Sequence, residues 1–188
     1  MSYIEKNLIF EQDKIYYYDE DWGGEREVMM DWETKLMSAS AAYACSNSGD
    51  ILEIGFGMGI SAGYIQSHNI NSHTIIENHP DIVPRANQWA LNKPNVTIIE
   101  GNWYDVKDTL GMFDGLFYDT YGDDNMKHFS SSLSPLMKEK GVATWWNNES
   151  EPTNFYNIPN VTYQQYEINP PKNSYFNFTT YYLPKWHK

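Results

Sequence analysis

The chain changes its hydrophobic pattern after Gly49, where short apolar runs begin to alternate with amphipathic segments. The apolar runs have the length of buried strands and predict strands over residues 51–54, 73–76, 96–99, 116–118 and 142–146. The segments between them have helical spacing and predict helices over residues 60–67, 82–91 and 126–137. This alternation predicts a doubly wound α/β fold, in which a mainly parallel sheet carries helices on both faces.

The two ends of the chain depart from this alternation. Residues 161–168 and 175–183 are rich in β-forming residues and flank Pro170-Pro171, which predicts an antiparallel β-hairpin at one sheet edge. Residues 1–24 are polar and aromatic and predict an irregular arm or lid. Apolar residues at helical spacing predict a helix over residues 25–46.

Composition narrows the class of protein. With 188 residues, 41% of them hydrophobic, the chain can bury one core, and we expect a single domain over residues 1–188. The net charge of -12, without clustered Lys or Arg, argues against nucleic-acid binding but would tolerate a cationic small molecule. No apolar run suits a membrane span, Cys45 is the only cysteine, and the histidines lack metal-ligand spacing. We therefore expect a cytoplasmic protein without a metal or disulfide; its oligomeric state stays open, a homodimer included.

A glycine cluster, Gly55, Gly57 and Gly59, follows the first strand of the alternating region. Ligands of open α/β sheets bind beyond the carboxyl ends of the strands, and glycines let the backbone turn sharply and approach them. Ile60 stands where a dinucleotide fingerprint has glycine or alanine, so the spacing favours S-adenosylmethionine (SAM) over NAD. A tight structural turn alone could also account for the glycines.

Two further segments support a nucleoside ligand. Glu77 ends the second strand, where an acid can accept hydrogen bonds from both ribose hydroxyls. Gly101-Asn102-Trp103 follows the third strand, where Asn102 could bind an adenine ring and Trp103 could cover it. The ordinary alternatives are an acid near a helix start for Glu77 and core packing for Trp103. Taken together, the three features predict an adenosyl pocket.

Two acids could bind a second ligand beside that pocket. Asp119 ends the fourth strand and so faces the same crevice, and Glu33 lies in the predicted helix before the glycine cluster. Two carboxylates could clamp a guanidinium, whose planar fork of N–H donors matches them bidentately. A guanidinium is a poor nucleophile because its pKa is about 12 or higher. One carboxylate must therefore remove a proton as the methyl arrives, and we assign this role to Asp119. Either acid taken singly could instead cap a helix or pair with Arg or Lys.

These residues also carry a family resemblance. From about residue 25 to its end, the chain resembles guanidinoacetate N-methyltransferase, and the related protein arginine methyltransferases that act on the internal guanidino nitrogen share much of the pattern. The resemblance rests on Met29-Met30-Asp31-Trp32-Glu33-Thr34, Glu53-Ile54-Gly55-Phe56-Gly57-Met58, Ile75-Ile76-Glu77-Asn78, Gly101-Asn102-Trp103 and Tyr118-Asp119-Thr120-Tyr121, with Pro170-Pro171 and Tyr175-Phe176 near the end.

The resemblance implies a Rossmann-like class I methyltransferase fold that uses SAM and releases S-adenosylhomocysteine. The implied cofactor contacts are Met29, Met37, Glu53, Gly55, Phe56, Gly57, Met58, Gly59, Glu77, Asn78, Gly101, Asn102, Trp103 and Asp119. The implied substrate contacts are Glu33, Asp119, Tyr121, Asn147, Asn148 and Glu149. In this pattern Glu33 and Asp119 hold the guanidino group, Asp119 is the base, and guanidinoacetate is the default acceptor.

The acceptor side departs from the family. Trp146-Asn147-Asn148-Glu149-Ser150 stands where the family has a stretch resembling Cys-Asn-Leu-Thr-Ser, whose backbone amides receive the substrate carboxylate. Glu149 would repel that carboxylate if its side chain pointed inward. The alternatives are a methyltransferase of another small acceptor, a protein arginine methyltransferase, a catalytically silent SAM-binding module and an NAD-dependent oxidoreductase. Relatives that act on protein arginine carry extra N-terminal repeats, which this sequence does not show, and this favours a small acceptor.

Overall fold

The computed structural model describes residues 2–188, which form ten strands and five α-helices together with short 3-10 turns. In chain order the elements are β1 (Ile9–Phe10), β2 (Lys14–Asp19), β3 (Gly24–Met30), α1 (Thr34–Ala44), β4 (Asp50–Ile54), α2 (Ile60–Gln66), β5 (Ser72–Glu77), α3 (Val83–Ala90), β6 (Val96–Glu100), α4 (Trp103–Val106), β7 (Phe113–Tyr118), α5 (Phe129–Leu136), β8 (Met137–Trp145), β9 (Thr162–Glu167) and β10 (Thr180–His187).

Seven of these strands form the main sheet, in the order β6-β5-β4-β7-β8-β10-β9. The first five are parallel to one another, while β10 runs antiparallel to both β8 and β9. This arrangement confirms the predicted α/β fold and the antiparallel hairpin at one edge. Strand order reverses between β4 and β7, so a crevice opens beyond the carboxyl ends of these two strands.

Alternation along β7 shows how the sheet buries both faces. Leu116 and Tyr118 pack in one cluster with Phe129 of α5, whereas Phe117 packs in another with Leu36 of α1. Successive side chains of a strand point to opposite faces, so a strand that is apolar at consecutive positions needs a cover on each side. The helices supply that cover and leave the carboxyl ends of the strands open.

The prediction for the amino-terminal region was wrong in its secondary structure. Strands β1, β2 and β3 form a separate three-stranded antiparallel sheet, with β2 paired to β3 from Lys14 opposite Met30 to Asp19 opposite Gly24. A 3-10 turn at Asp31–Glu33 leads into α1, so only the second half of the predicted helix exists. Pairing with β2 gives the backbone of β3 its hydrogen-bond partners, and this tertiary context overrides the apparent helical spacing.

The described chain differs from the expectation in two smaller ways. The last strand begins at Thr180, because the segment around Tyr175 forms a loop held by Asn173, whose side-chain oxygen accepts the N–H groups of Tyr175 and Phe176. The four-residue helix α4 was not predicted. Among residues 2–188, none of the helices has the length and apolar character that crossing a bilayer requires.

Candidate active site

A cavity of about 740 Å³ opens at the crevice between β4 and β7. Its floor comes from the ends of the parallel strands and its roof from the amino-terminal sheet, since the wall includes Gly55 and Glu77 as well as Tyr17 and Arg26. The volume lies in the range of small-molecule and cofactor sites. The position is the one that the fold favours for a ligand.

Gly55 lets the ends of β4 and β7 meet. Its φ is +94°, and a Cβ there would lie 1.8 Å from the carbonyl oxygen of Asp119. The backbone N–H of Asp119 in turn donates to the carbonyl of Ile54 at 2.9 Å. Only glycine tolerates both the conformation and the approach. The glycine turn and the Asp119 carboxyl group are therefore fixed side by side.

Gly57 continues this turn under the amino-terminal sheet. Its φ is +53°, and a Cβ there would lie 2.6 Å from the sulfur of Met29. The same sulfur accepts a hydrogen bond from the N–H of Met58 at 3.2 Å. The glycine turn thus forms a cradle open to the cavity, with Met29 packed directly on it.

Glu77 is a buried carboxylate on the cavity wall, held by backbone donors. One oxygen accepts from the N–H of Phe56 at 2.9 Å, and the other accepts from Asn78 and His79 at 2.8 Å each. An ionised carboxylate offers about four acceptor positions. About one remains, so binding two ribose hydroxyls at once requires one backbone hydrogen bond to be given up.

Glu33 ends the 3-10 turn after β3 and is only 3% exposed. Its Oε1 accepts hydrogen bonds from the N–H of Met30, at 3.0 Å, and from the hydroxyl of Tyr175. Burial, reinforced by the negative charge of Asp119, raises the pKa of Glu33 to about 8. The carboxyl group is thus firmly positioned but has no cation beside it to favour its ionised form.

Asp119 is partly buried at the end of β7, and its side chain makes no hydrogen bond within residues 2–188. Burial, with a smaller effect from the charge of Glu53, raises the pKa of Asp119 to about 7. Two carboxyl groups with raised pKa values therefore face one cavity. Such a pair favours a cationic ligand, because a cation between them would oppose the effect of burial and favour both ionised forms.

Twelve of the residues singled out from the sequence line the cavity, and their functional roles stay predictions. They are Met29, Glu33, Gly55, Phe56, Gly57, Glu77, Asn78, Gly101, Trp103, Asp119, Tyr121 and Asn148. Tyr121 stands 3.4 Å from the hydroxyl of Tyr17, at the junction between the main sheet and the amino-terminal sheet.

Seven others lie outside the cavity wall, and the structure gives them different surroundings. They are Met37, Glu53, Met58, Gly59, Asn102, Asn147 and Glu149. Glu53 is completely buried, where its oxygens accept hydrogen bonds from Ser61 and from His73, the latter at 2.8 Å. Met37 is likewise fully buried in the core, and Gly59 caps α2 with a φ of +73°.

The polar members of this group stabilise local backbone. The Asn102 side-chain oxygen accepts the N–H of Tyr104 and caps α4, so this oxygen is already engaged. Asn147 is buried and its side-chain nitrogen donates to the carbonyls of Glu151 and Tyr182. Glu149 is exposed on the surface. The repulsion expected from an inward Glu149 therefore does not arise in this structure.

Several cavity residues were not predicted from the sequence. Tyr175 was noted only as part of the resemblance, and its hydrogen bond to Glu33 depends on a loop that no local pattern specifies. Asp123 is buried and accepts hydrogen bonds from Trp103 Nε1 and the Tyr118 hydroxyl, which tie two cavity-lining segments together. Arg26 reaches the wall because β3 is a strand.

The described residues contain no group of three or more His, Cys, Asp or Glu side chains suited to a metal ion.

Solved structures share this fold. Spermidine synthase from Thermotoga maritima aligns with a TM-score of 0.63 and 13% identity, over 96% of this chain and 72% of that one. Precorrin-6y C5,15-methyltransferase from Geobacter metallireducens GS-15 aligns with a TM-score of 0.61 and 13% identity, over 82% of this chain and 88% of that one. The fold is therefore that of the Rossmann-like methyltransferases.

Sequence comparison is more specific. The family model of guanidinoacetate N-methyltransferase matches residues 23–150, and the chain belongs to this family. Relatives include protein arginine N-methyltransferase 2 of Aspergillus oryzae, 38% identical over 155 residues, which is 77% of this chain and 36% of that protein. The protein of the same name from Saccharomyces cerevisiae is 30% identical over 222 residues, covering 97% of this chain and 52% of that protein. The chain thus spans between about a third and a half of these relatives.

Proposed function

We propose that this protein transfers a methyl group from SAM to a guanidino nitrogen, with guanidinoacetate as the first acceptor to test. The observation that carries the proposal is the pair of carboxyl groups, Glu33 and Asp119, on the wall of one cavity beside a glycine cradle. Burial raises the pKa values of both groups, and a cation between them would favour their ionised forms. A guanidinium is such a cation, and its N–H donors lie in one plane, so two carboxylates can both accept hydrogen bonds from it.

The residues of the other half of the cavity fit SAM. The turn at Gly55 and Gly57 lines the cavity with bare backbone, Glu77 retains an acceptor position for a ribose hydroxyl, and Trp103 offers an apolar wall. When bound, SAM supplies the methyl group as an electrophile on a positively charged sulfur. The acidic cavity suits this charge as well as that of the acceptor.

The two carboxyl groups have distinct tasks in this mechanism. Glu33 is held by two donors on one oxygen, so it orients the guanidino group through its remaining oxygen. Asp119 makes no side-chain hydrogen bond within residues 2–188 and is free to accept a proton from the reacting nitrogen. Removing that proton keeps the nitrogen lone pair available as the new N–C bond forms, and positioning contributes the remainder of the acceleration.

The test is a SAM-consumption assay with guanidinoacetate, arginine, agmatine and an arginine-containing peptide. The proposal predicts that at least one acceptor of this set is methylated, with guanidinoacetate the best. Binding of S-adenosylhomocysteine without turnover of any of the four would contradict the guanidino assignment and leave the cofactor assignment standing. Absence of both would contradict both.

A protein arginine acceptor is the second candidate. The curated relatives are named protein arginine N-methyltransferase 2, and the cavity wall includes Asp19, Asp21 and Asp124, which a basic polypeptide would meet. Faster methylation of an arginine-containing peptide than of guanidinoacetate would favour this candidate. Substituting lysine for the arginine in the same peptide provides the matched control, since it keeps the charge and removes the guanidino group.

A further inference from the structure

Arg26 is one of two cations on the wall of a cavity that is mainly acidic. It lies on β3, and its guanidinium packs 4.4 Å above the ring of Trp22 while approaching the hydroxyl groups of Tyr17 and Tyr121. Stacking on an aromatic face leaves the in-plane N–H donors of an arginine available for other partners. Tyr121 follows Asp119 by two residues, so Arg26 borders the part of the cavity that leads to the proposed base.

The charge of Arg26 has no carboxylate partner in the described chain. The wall carries seven Asp and Glu residues but only two cations, Lys6 and Arg26. Lys6 stands 3.8 Å from the carboxylate of Asp19, whereas Arg26 forms no ion pair within residues 2–188. Its buried Nε also has no hydrogen-bond partner among these residues. In a protein with 25 acidic residues, an arginine without an ion pair at a cavity wall is available to bind an anionic group of a ligand.

We propose that Arg26 binds a carboxylate of the ligands that occupy this cavity. This inference rests on the proposed function, because both proposed ligands carry one: the methionyl part of SAM and guanidinoacetate. Every other charged group of the ligands is cationic and suits the acidic wall, so the carboxylate is the one group that needs a cation. An arginine fork binds such a group with two parallel N–H donors, which fixes its orientation as well as its charge.

The experiment combines two substitutions in the protein with removal of the ligand's carboxylate. Arg26→Gln removes the positive charge. Arg26→Lys keeps the charge but lacks the two parallel N–H donors of the guanidinium. Calorimetry measures affinity for S-adenosylhomocysteine and for its decarboxylated analogue, 5′-S-(3-aminopropyl)-5′-thioadenosine. Steady-state kinetics measure KM for guanidinoacetate and for its neutral amide. Arg85→Gln is the matched control, since Arg85 is the only other arginine and packs on Phe10 outside the cavity.

We expect Arg26→Gln to weaken one carboxylate-bearing ligand by about 10- to 100-fold, the scale of a lost charge-assisted hydrogen bond. The carboxylate-free counterpart should change little, with Arg26→Lys intermediate. Loss confined to S-adenosylhomocysteine assigns the site to the cofactor, and loss confined to guanidinoacetate assigns it to the acceptor. An unchanged affinity for both ligands, or an equal loss with and without the carboxylate, overturns the site. A wild-type protein that binds and methylates nothing overturns the proposed function and this site together.

Discussion

The hydroxyl of Tyr175 donates a hydrogen bond to Oε1 of Glu33, joining residues 142 positions apart in the sequence. Tyr175 also stacks on Trp32, with 6.2 Å between the ring centroids, so the loop before β10 packs against the turn that carries Glu33. The orientation of this carboxyl group is therefore set from both ends of the chain. Its hydrogen bond from Tyr175 also opposes the effect of burial on its pKa.

Tyr175→Phe should shift the pH dependence of catalysis. The hydrogen bond from Tyr175 lowers the pKa of Glu33, so its loss raises that pKa and leaves less of the ionised form at neutral pH. We expect the acid limb of the kcat/KM profile to move to higher pH, with activity at pH 7 reduced by about 10-fold. Tyr64→Phe, on α2 and outside the cavity, is the control. An unchanged profile would mean that the hydroxyl does not act on Glu33.

Glu33→Gln should stabilise the empty protein in alkaline solution. The pKa of Glu33 is raised from 4.5 to about 8, so the folded state holds a proton that the unfolded chain releases between these values. Stability due to this group is therefore complete below about pH 4.5 and declines as pH rises towards 8. We expect the variant to have a Tm at least about 2 °C higher at pH 8.5, equivalent to roughly 1 kcal/mol, and an unchanged Tm at pH 4. The exposed Glu151→Gln should show no such pH-dependent difference.

Asp119→Asn should separate catalysis from cofactor binding. The amide keeps the size of the side chain but cannot take a proton from the guanidino group, so turnover should fall by about 10²-fold or more. Affinity for S-adenosylhomocysteine, measured by calorimetry, should stay within about 3-fold of the wild type, a difference of roughly 0.7 kcal/mol. Near-normal turnover would remove Asp119 from the role of base.

Gly55→Ala should damage both folding and ligand binding. Its Cβ would lie 1.8 Å from the carbonyl oxygen of Asp119 at a φ of +94°, so the ends of β4 and β7 must separate. We expect a loss of about 3 kcal/mol or more in the free energy of unfolding, typical of a substitution that strains a special backbone position. Gly63→Ala is the matched control, because its Cβ would meet nothing within 4 Å. Gly63 lies in α2, where alanine is the better helix former, so this variant should be more stable than the wild type by about 0.5–1 kcal/mol. Urea denaturation compares the two, and equal stabilities would contradict the close approach.

Glu149→Gln should leave the KM for guanidinoacetate unchanged within about 2-fold, since the side chain is exposed and lies outside the cavity wall. Glu33→Gln, measured in the same assay, should raise that KM strongly. A clear decrease in KM for Glu149→Gln would show that this carboxylate approaches the acceptor when the site is filled.

The parallel strands β4, β5, β6 and β7 were predictable because each contains a short apolar run with turn residues nearby. The error at β3 has a specific cause. Val28, Met29 and Trp32 fit a helical face together with Leu36, yet the first two belong to a strand and the last to a helix. Spacing alone does not reveal where one element ends. The decisive partner, β2, contains the run Ile15-Tyr16-Tyr17-Tyr18, whose β-forming residues were a strand signal that the prediction of an irregular arm did not use.

The sequence predicted where two acidic residues lie along their strands, but not the surroundings of their side chains. Glu53 and Glu77 each lie at or next to the end of a parallel strand, but their side chains have different surroundings. Glu77 reaches the cavity, while Glu53 is completely buried next to Ser61 and His73. Glu53 lies opposite Ile75, two residues before Glu77, so the two acids emerge on the same face of the sheet at different distances from the strand ends. Sequence similarity placed both in the site, and this two-residue offset along the sheet separates their side chains.

The amino-terminal sheet of β1, β2 and β3 shares no strand with the main sheet. The cavity therefore lies between two sheets that are not joined by backbone strand pairing. Its width depends on side-chain packing between them, such as that of Met29 on Gly57. Two sheets in contact only through side chains can shift relative to each other without breaking backbone hydrogen bonds. Substitutions on the amino-terminal sheet can therefore alter one wall of the cavity without breaking the backbone hydrogen bonds of the main sheet, except at Met29, which packs on the glycine turn.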